Sequence, residues 1–331
     1  MTKNNFKYKL FNLIMVLCIL FFIYTAYKNG LNYMHICILM IVGIFLYLKR
    51  YDIIPYLSLQ QPKLISKENT KIPSDEKWYD DYYTIKYIDE RTIAIGEPRY
   101  WQRNYNYLIM GDEKAILFDS GPGIRDITKV VNKLTDLPVI NMISHYHYDH
   151  VGNIDKFDEV YLGENQIQKQ IIGKNNMIIP NKKSFWGVFE GFKPKQFRVT
   201  KVIRHGETIN LGNRIIKIIE APGHDNESIV LYDEKLNQLF AGDYLVKKGP
   251  NIMCNTYLLS TSLKDYKHSI KEILNHVKTG VIIHVAHSGN TESVNLKYKD
   301  LVDLDSFLDS VKKNNLIPKK KNINKDLFIY Y

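Results

Sequence analysis

The fold and the chemistry of this chain follow from one stretch, His145-Tyr146-His147-Tyr148-Asp149-His150. It lies between an apolar run at residues 139–143 and a Gly-Asn turn. Imidazole nitrogens and carboxylate oxygens are the ligands that zinc and similar divalent cations prefer. In an extended chain His145 and His147 point to the same face, and Asp149 and His150 cannot both share it. The spacing therefore predicts ligands for two metal ions.

Three further candidate ligands lie downstream, each in a turn after a short strand-like run. Such turns are where α/β scaffolds present catalytic groups. The three are His224 at the end of Ala-Pro-Gly-His, Asp243 in Gly-Asp, and His287 in Ala-His-Ser-Gly. An accidental cluster of surface histidines would not repeat this arrangement, so the pattern indicates a metal centre built from several strand ends.

Together these motifs resemble the metallo-β-lactamase-fold hydrolases over about residues 84 to 290. The resemblance implies that one metal is held by His145, His147 and His224. It implies that the other is held by Asp149, His150 and His287, and that Asp243 bridges the two. Asp119, which ends the apolar run 115–118, is implied to support the metal histidines from behind. The implied cofactors are two divalent ions, with Zn²⁺ expected and Mn²⁺ or iron as alternatives.

The resemblance also implies a mechanism in which a hydroxide bridging the metals attacks the substrate. Bound metal lowers the pKa of water to about 7, so no protein nucleophile is needed, and Asp243 is catalytic as the bridge. A metal would polarise the carbonyl or phosphoryl oxygen under attack. Either Asp149 or a metal-bound water would protonate the leaving group, and the sequence leaves both open.

An ester or thioester is the expected substrate. The glyoxalase-II-like branch of the family carries aspartate at the position of Asp243, whereas the β-lactamases do not. Asp225 follows His224 where glyoxalase-II-like members usually carry threonine, so a glutathione thioester is not assigned. A lipophilic or acyl-CoA-like substrate is favoured. The alternatives are a lactonase or phosphodiesterase of the same fold, and a regulatory or scaffold protein without turnover.

The amino terminus contains two apolar runs, residues 10–27 and 31–48, of 18 residues each. At about 1.5 Å per residue, an 18-residue helix is about 27 Å long, close to the thickness of a bilayer core. Only Lys28-Asn29-Gly30 separates the runs, which predicts a transmembrane helical hairpin at residues 1–50. Basic residues flank the hairpin on its outer ends, so both ends and the catalytic domain are expected in the cytoplasm, at the cell membrane.

The net charge of +10 is concentrated at the two ends of the chain. Residues 1–50 carry six basic residues and no acid, and residues 312–331 carry six lysines and one aspartate. These positions suit anionic lipid headgroups better than a nucleic-acid track. Nucleases of the family use a large domain between the positions of Asp243 and His287, but here that interval is only 44 residues. Membrane and a small-molecule or lipid-derived substrate are therefore the expected partners, and nucleic acid is not.

The predicted layout has four parts: a hairpin at 1–50, a connector at 51–83, a hydrolase domain at 84–311 and a basic tail at 312–331. Apolar runs predict strands, and periodic segments predict helices at 124–134, from 262 onward and at 292–311. We expect an α/β fold, the four-layer αββα sandwich. An aromatic segment at residues 182–193 is either a cover packed on its own core or a mobile lid over the substrate. Its aromatics are Phe185, Trp186, Phe189 and Phe192.

Overall fold

The computed structural model describes residues 16–17, 20–25, 27–30, 33–48, 62, 64–168, 170, 172–248, 250–252, 263–288, 294–311 and 320–330. The chain divides into two compact units. The larger unit comprises Lys63–Phe185 and Pro194–Tyr331, and the smaller comprises Met1–Pro62 and Trp186–Lys193. All of the predicted metal ligands belong to the larger unit.

The strands of the larger unit are short and follow one another along the chain. They are β1 Lys77–Trp78, β2 Thr84–Asp89, β3 Thr92–Gly96, β4 Tyr105–Met110, β5 Ala115–Phe118, β6 Val139–Met142, β7 Glu159–Gly163, β8 Met177–Ile178, β9 Phe197–Arg198, β10 Lys201–Ile203, β11 Thr208–Asn210, β12 Ile215–Glu220, β13 Ile229–Asp233, β14 Gln238–Gly242, β15 Pro250–Ile252, β16 Ile282–Val285, β17 Asn295–Lys297, β18 Lys320–Asn322 and β19 Phe328–Tyr330.

The α-helices are α1 Tyr33–Leu48, α2 Thr128–Leu134, α3 Glu164–Ile167, α4 Lys182–Phe185, α5 Leu263–His276 and α6 Tyr298–Ser310. Short 3₁₀ turns lie at Lys67–Asn69, Ile154–Lys156, Lys174–Asn176 and Gly187–Glu190. Helix α5 buries Tyr266, Ile270 and Ile273 on one face. Helix α6 begins six residues later than predicted, because residues 295–297 form β17 at the edge of a sheet.

Two large sheets form the body of the domain. The first has eight strands in the order β1-β2-β3-β4-β5-β6-β7-β10. It is antiparallel from β1 to β5 and parallel from β5 onward. The second has six strands in the order β11-β12-β13-β14-β16-β17, with one parallel pair, β14 and β16. Two small sheets, β15-β19-β18 and β8-β9, complete the described strands.

The two large sheets pack face to face with helices outside them. Side chains on strand β5 alternate between the faces of the first sheet. Ile116 and Phe118 join a core cluster that also contains residues of the second sheet, α5 and α6. Leu117 joins a separate cluster with Val130 and Val131 of α2. This order of layers, helix, sheet, sheet, helix, confirms the predicted αββα sandwich.

The folded domain extends beyond its predicted bounds at both ends. Residues 51–83 were expected to form a connector, but β1 pairs with β2, and Tyr82 and Tyr83 are buried against the first sheet. Residues 312–331 were expected to form a basic tail, but β18 and β19 form a hairpin that buries Leu327 and Ile329. The lysine content of the tail hides this apolar pattern. Residues 312–319 lie outside the described part.

Helix α1 of the smaller unit covers part of the second predicted membrane span and is 16 residues long. Residues 20–25 of the first predicted span are also helical. Several residues of both spans lie outside the described part of the chain. Within the part that is described, no helix is both long enough and apolar enough to cross a bilayer, so the predicted hairpin lacks structural support.

Candidate metal centre

The predicted ligands lie directly after strands of both large sheets. Asp119 follows β5, the stretch from His145 to His150 follows β6, and His224 follows β12. Asp243 follows β14, and His287 follows β16. Because these strand ends meet at one edge of the sandwich, residues far apart in sequence become neighbours in space.

One group of ligand atoms belongs to His145, His147, His224 and Asp243, and all of these atoms lie within 4.8 Å of one another. The Nε2 atom of His224 lies 3.1 Å from Nδ1 of His147 and 3.7 Å from Oδ2 of Asp243. His145 is fully buried. The structure therefore brings together the three histidines that the sequence assigned to one metal.

A second group consists of Asp149, His150 and His287, and its ligand atoms also lie within 4.8 Å of one another. The Nε2 atom of His287 lies 3.3 Å from Oδ2 of Asp149 and 3.4 Å from Nε2 of His150. All three side chains are buried. These are the residues that the sequence assigned to the other metal.

The carboxylate of Asp243 lies between the two groups. Its Oδ2 atom is 3.5 Å from Nε2 of His150 and 3.7 Å from Nε2 of His224. Its Oδ1 atom is 3.2 Å from Nε2 of His287. A side chain that faces histidines of both groups is placed as the bridging role requires.

These residues fit a pair of divalent cations on two grounds. Bonds of about 2.1 Å in a tetrahedral site place ligand atoms about 3.4 Å apart, close to the separations found here. In addition, His145 Nε2 is buried and has no hydrogen-bond partner among the described residues. A buried polar atom without a partner costs free energy, and a cation would remove that cost.

Asp119 lies behind both groups, as predicted. Its Oδ2 atom accepts a hydrogen bond from His150 Nδ1 at 2.8 Å and another from the Ser144 hydroxyl at 2.9 Å. The Ser144 oxygen is 2.9 Å from His145 Nδ1. Asp119 has a φ of 66°, in the left-handed region that non-glycine residues seldom adopt. Ser144 was missed by the sequence analysis, although it directly precedes the histidine that it contacts.

The two groups differ in how their histidines bind protons. Burial is the main cause that holds the pKa of His145 well below its usual value, and the neighbouring histidines lower it further. Burial likewise lowers the pKa of His147 and of His224 to about 4. Burial also opposes the charge on His150 and His287, but the surrounding carboxylates outweigh it and raise the pKa of both. A proton on His150 or His287 would therefore compete with a cation for the second group, whereas burial favours the neutral, metal-binding form of the histidines in the first.

Nearby histidines lower the pKa of Asp149 and of Asp243. Although burial opposes ionisation, His150 and His287 lower the pKa of Asp149 to about 2. The same two histidines, with His224, hold the pKa of Asp243 well below its usual range. Both side chains are therefore ready to bind a cation at neutral pH.

Gly242 makes the turn that places Asp243. The ladder between β14 and β16 has a bulge between Phe240 and Gly242. Gly242 has a φ of 51°, and a Cβ atom there would lie 2.6 Å from Ser144 Oγ and would overlap Ser144 Cβ. Only glycine satisfies both the backbone conformation and the space at this point.

The four aromatics of the predicted lid fall in both units. Phe185 ends α4 in the larger unit and is buried. Its carbonyl accepts a hydrogen bond from the Tyr148 backbone N–H at 2.8 Å, and the two rings meet edge to face. Phe185 is thus packed against the metal-binding stretch. Trp186 and Phe192 belong to the smaller unit and are half-buried, and the side chain of Phe189 lies outside the described part.

Three other histidines belong to neither ligand group. His284 lies on β16, stacks on Phe240 and contacts Asn295. His205 and His276 lie with Glu272 in a partly exposed group. His205 Nδ1 accepts a hydrogen bond from the Glu220 N–H, so its Nε2 carries the proton of the neutral ring and is not ready to bind a metal.

Comparisons with known proteins agree with this geometry. The acyl-coenzyme A thioesterase MBLAC2 of Bos taurus is 25% identical over 224 residues, covering 61% of this chain and 79% of that protein. The hydroxyacylglutathione hydrolase of Wigglesworthia glossinidia brevipalpis is 26% identical over 204 residues, covering 62% and 67%. Among solved structures, a metallo-β-lactamase from Pontibacter korlensis has the same fold, with a TM-score of 0.50 and 14% identity, covering 69% of this chain and all of that one.

The model of the metallo-beta-lactamase superfamily matches residues 99–305, which include every predicted metal ligand and more than half of the chain. The chain therefore belongs to the metallo-β-lactamase superfamily and is a metallo-hydrolase of that fold.

Proposed function

We propose that the chain hydrolyses thioesters of lipophilic acyl groups, such as acyl-CoA, with two Zn²⁺ ions bound at the metal centre. The observation that carries the proposal is the position of Asp243, whose carboxylate faces histidines of both ligand groups. Bound there, the two cations would polarise the substrate carbonyl and lower the pKa of water to about 7. The proposal places the chain in the glyoxalase-II-like branch of its superfamily.

A thioester fits the protonation state of the site. The pKa of Asp149 is lowered to about 2, so at neutral pH this carboxylate has no proton to donate. A thiol has a pKa of about 8.5, so a thiolate leaves without a strong acid, whereas an alkoxide needs one. The similarity to an acyl-coenzyme A thioesterase and a hydroxyacylglutathione hydrolase supports the same class of bond.

In this account each carboxylate of the centre has a distinct role. Asp243 holds the two ligand groups at a fixed separation. Asp149 stays ionised and keeps His150 and His287 aligned toward the reacting atoms. Asp119 orients the rings of His145 and His150 from behind, partly through Ser144. A site aligned before substrate binds needs little reorganisation during the reaction.

The test is a substrate panel with the zinc-loaded, full-length chain. It contains long-chain and short-chain acyl-CoA, a hydroxyacyl glutathione thioester, an aryl ester, a lactone and a phosphodiester. We expect the highest kcat/KM for long-chain acyl-CoA and a loss of at least about 1000-fold in Asp243→Ala, because that variant lacks the bridging carboxylate. Turnover of only the lactone or the phosphodiester would replace the proposal with the corresponding alternative.

We further propose that the amino-terminal segment holds the catalytic domain at the cytoplasmic face of the cell membrane. The two 18-residue apolar runs and the basic residues around them support this location. Apolar side chains of α1 are also exposed, among them Ile41 at 66% and Phe45 at 56%. A carboxyl-terminal tag should resist protease in intact cells and be digested after lysis. Digestion in intact cells would refute the cytoplasmic placement.

A further inference from the structure

The loop between β3 and β4 contacts the second metal group although it contains none of its ligands. It runs from residue 97 to residue 104. Hydrogen bonds within the loop join Glu97 N–H to Asn104 O, Tyr100 N–H to Glu97 O, and Arg103 N–H to Tyr100 O, at 2.8 to 3.1 Å. Tyr100 and Asn104 are buried. The loop is therefore held in one conformation, and its Gln102 lies against the metal centre.

The backbone of Gln102 determines which nitrogen of His287 faces the metal centre. His287 Nδ1 lies 3.0 Å from the Gln102 carbonyl oxygen. A carbonyl oxygen can only accept, so Nδ1 must carry the proton and donate it. In the neutral ring Nε2 then presents its lone pair to Asp149 and Asp243, as metal binding requires.

The side chain of Gln102 holds Asp149. Its amide Nε2 donates to Asp149 Oδ2 at 3.0 Å and to the Tyr148 hydroxyl, also at 3.0 Å. Because an ionised carboxylate can only accept, the amide nitrogen must face it. Asp149 Oδ2 is also the atom nearest His287 Nε2, and it accepts a second hydrogen bond from the Asn104 amide at 3.3 Å. Asn104 adds a hydrogen bond to the Asp149 carbonyl at 2.6 Å.

Gln102 thus contacts two of the three residues of the second group, and the described structure shows no hydrogen bond between it and the residues of the first. We propose that Gln102 is a positioning residue that sets the metal affinity of the Asp149, His150 and His287 group independently of the other group. The inference rests on the proposed metal-dependent function, because it assumes that both groups bind cations.

The test is a zinc titration of the metal-free, full-length chain in competition with a chromophoric chelator. His224→Ala identifies which binding step belongs to the first group. Gln102→Met keeps the size of the side chain and the backbone carbonyl but removes the amide. We expect it to weaken binding at the second group by about 10- to 100-fold, as is typical when a residue supporting a ligand is lost. Binding at the first group should change by less than about threefold.

Gln238→Met is the matched control, since Gln238 donates the same kind of hydrogen bond to Asp89, at 2.9 Å, without contacting a ligand. It should leave both binding steps unchanged. Gln102→Ala provides a second variant if circular dichroism shows that Gln102→Met does not fold. It should likewise weaken zinc binding at the second group and not at the first. Unchanged binding at the second group, equal weakening of both groups, or fewer than two zinc ions bound by the parent would overturn the inference. If the parent does not cleave thioesters but Gln102→Met still weakens zinc binding only at the second group, only the proposed substrate is refuted.

Discussion

Asp119 accepts two hydrogen bonds from Ser144, one from its backbone N–H at 2.6 Å and one from its hydroxyl at 2.9 Å. The same carboxylate also accepts a hydrogen bond from His150 Nδ1 at 2.8 Å. The Ser144 hydroxyl oxygen lies 2.9 Å from Nδ1 of His145. One buried carboxylate therefore orients a histidine in each metal group, directly in one case and through a hydroxyl in the other.

Ser144→Ala should weaken the first metal group selectively. Without the hydroxyl, His145 Nδ1 loses its partner and the ring is held less firmly, so zinc affinity at that group should fall about tenfold. The second group should be nearly unaffected, since the contact between Asp119 and His150 remains. Zinc titration of the metal-free chain measures the zinc affinity of both groups. Thr70→Ala is the control, because its hydroxyl donates to the backbone carbonyl of Ser66 at 2.7 Å, and neither residue is a proposed metal ligand. An equal effect of the two substitutions would contradict this account.

Gly242→Ala should abolish hydrolysis and destabilise the chain. The new methyl group would overlap Ser144, and relief of that overlap must move Asp243 or Ser144. Gly280→Ala is the matched control, since Gly280 also has a positive φ, 85°, but its Cβ would meet nothing within 4 Å. The unfolding free energy of that control should fall by only about 1 kcal/mol, the cost of the left-handed backbone conformation, and its activity should be kept. Urea unfolding and turnover of both variants check the comparison, and similar results for the two would refute it.

Glu97 should make the stability of the metal-free chain depend on pH. Burial, together with the charge of Asp149, raises its pKa from 4.5 to about 7, against hydrogen bonds from Tyr82 and Asn106. Between these values the unfolded chain releases the proton and the folded chain keeps it. The contribution of Glu97 to stability is therefore present at low pH and is lost as pH rises, by about 3 kcal/mol in total.

Replacement of Glu97 by glutamine removes this titration. Relative to the parent, Glu97→Gln should therefore gain up to about 3 kcal/mol of unfolding free energy between pH 4.5 and pH 8. Urea unfolding of the two metal-free proteins across this range measures the difference. A difference that does not change with pH would show that Glu97 does not titrate in the folded chain.

If the aromatic segment at residues 182–193 is a lid, it should contact the substrate's acyl chain. If Trp186 and Phe189 contact it, replacing both with alanine should lower kcat/KM more for long-chain than for short-chain substrates. Each buried methylene is worth about 0.8 kcal/mol, so the loss should grow with chain length. Equal losses for all chain lengths, with a lower Tm, would instead identify the segment as a packed cover.

The clustering of the candidate ligands was predictable because each of them follows a local signal, an apolar run and a turn. The continuous apolar run at residues 115–118 likewise predicted the strand β5. Gln102 carries no such signal, because its importance arises only when a distant loop meets two strand ends. The same reason explains why the group of His205, Glu272 and His276 was missed, since three separate segments bring it together.

The bounds of the domain were less predictable. Leu327 and Ile329 follow six lysines in the tail, so composition concealed a strand that pairs with β15. Tyr82 and Tyr83 lie in a polar stretch whose burial depends on packing against β3, β4 and β5. In both places the apolar residues are few, and only their tertiary partners make them part of the core.

The most direct test of the central claim is to measure long-chain acyl-CoA hydrolysis while zinc is added to the metal-free, full-length chain. The account predicts no turnover without metal, a rise with added zinc, and a plateau at about two zinc ions per chain, as a two-metal centre requires. Full hydrolytic activity in the presence of excess chelator would contradict the two-metal mechanism. The absence of activity when zinc occupies both groups would contradict it as well.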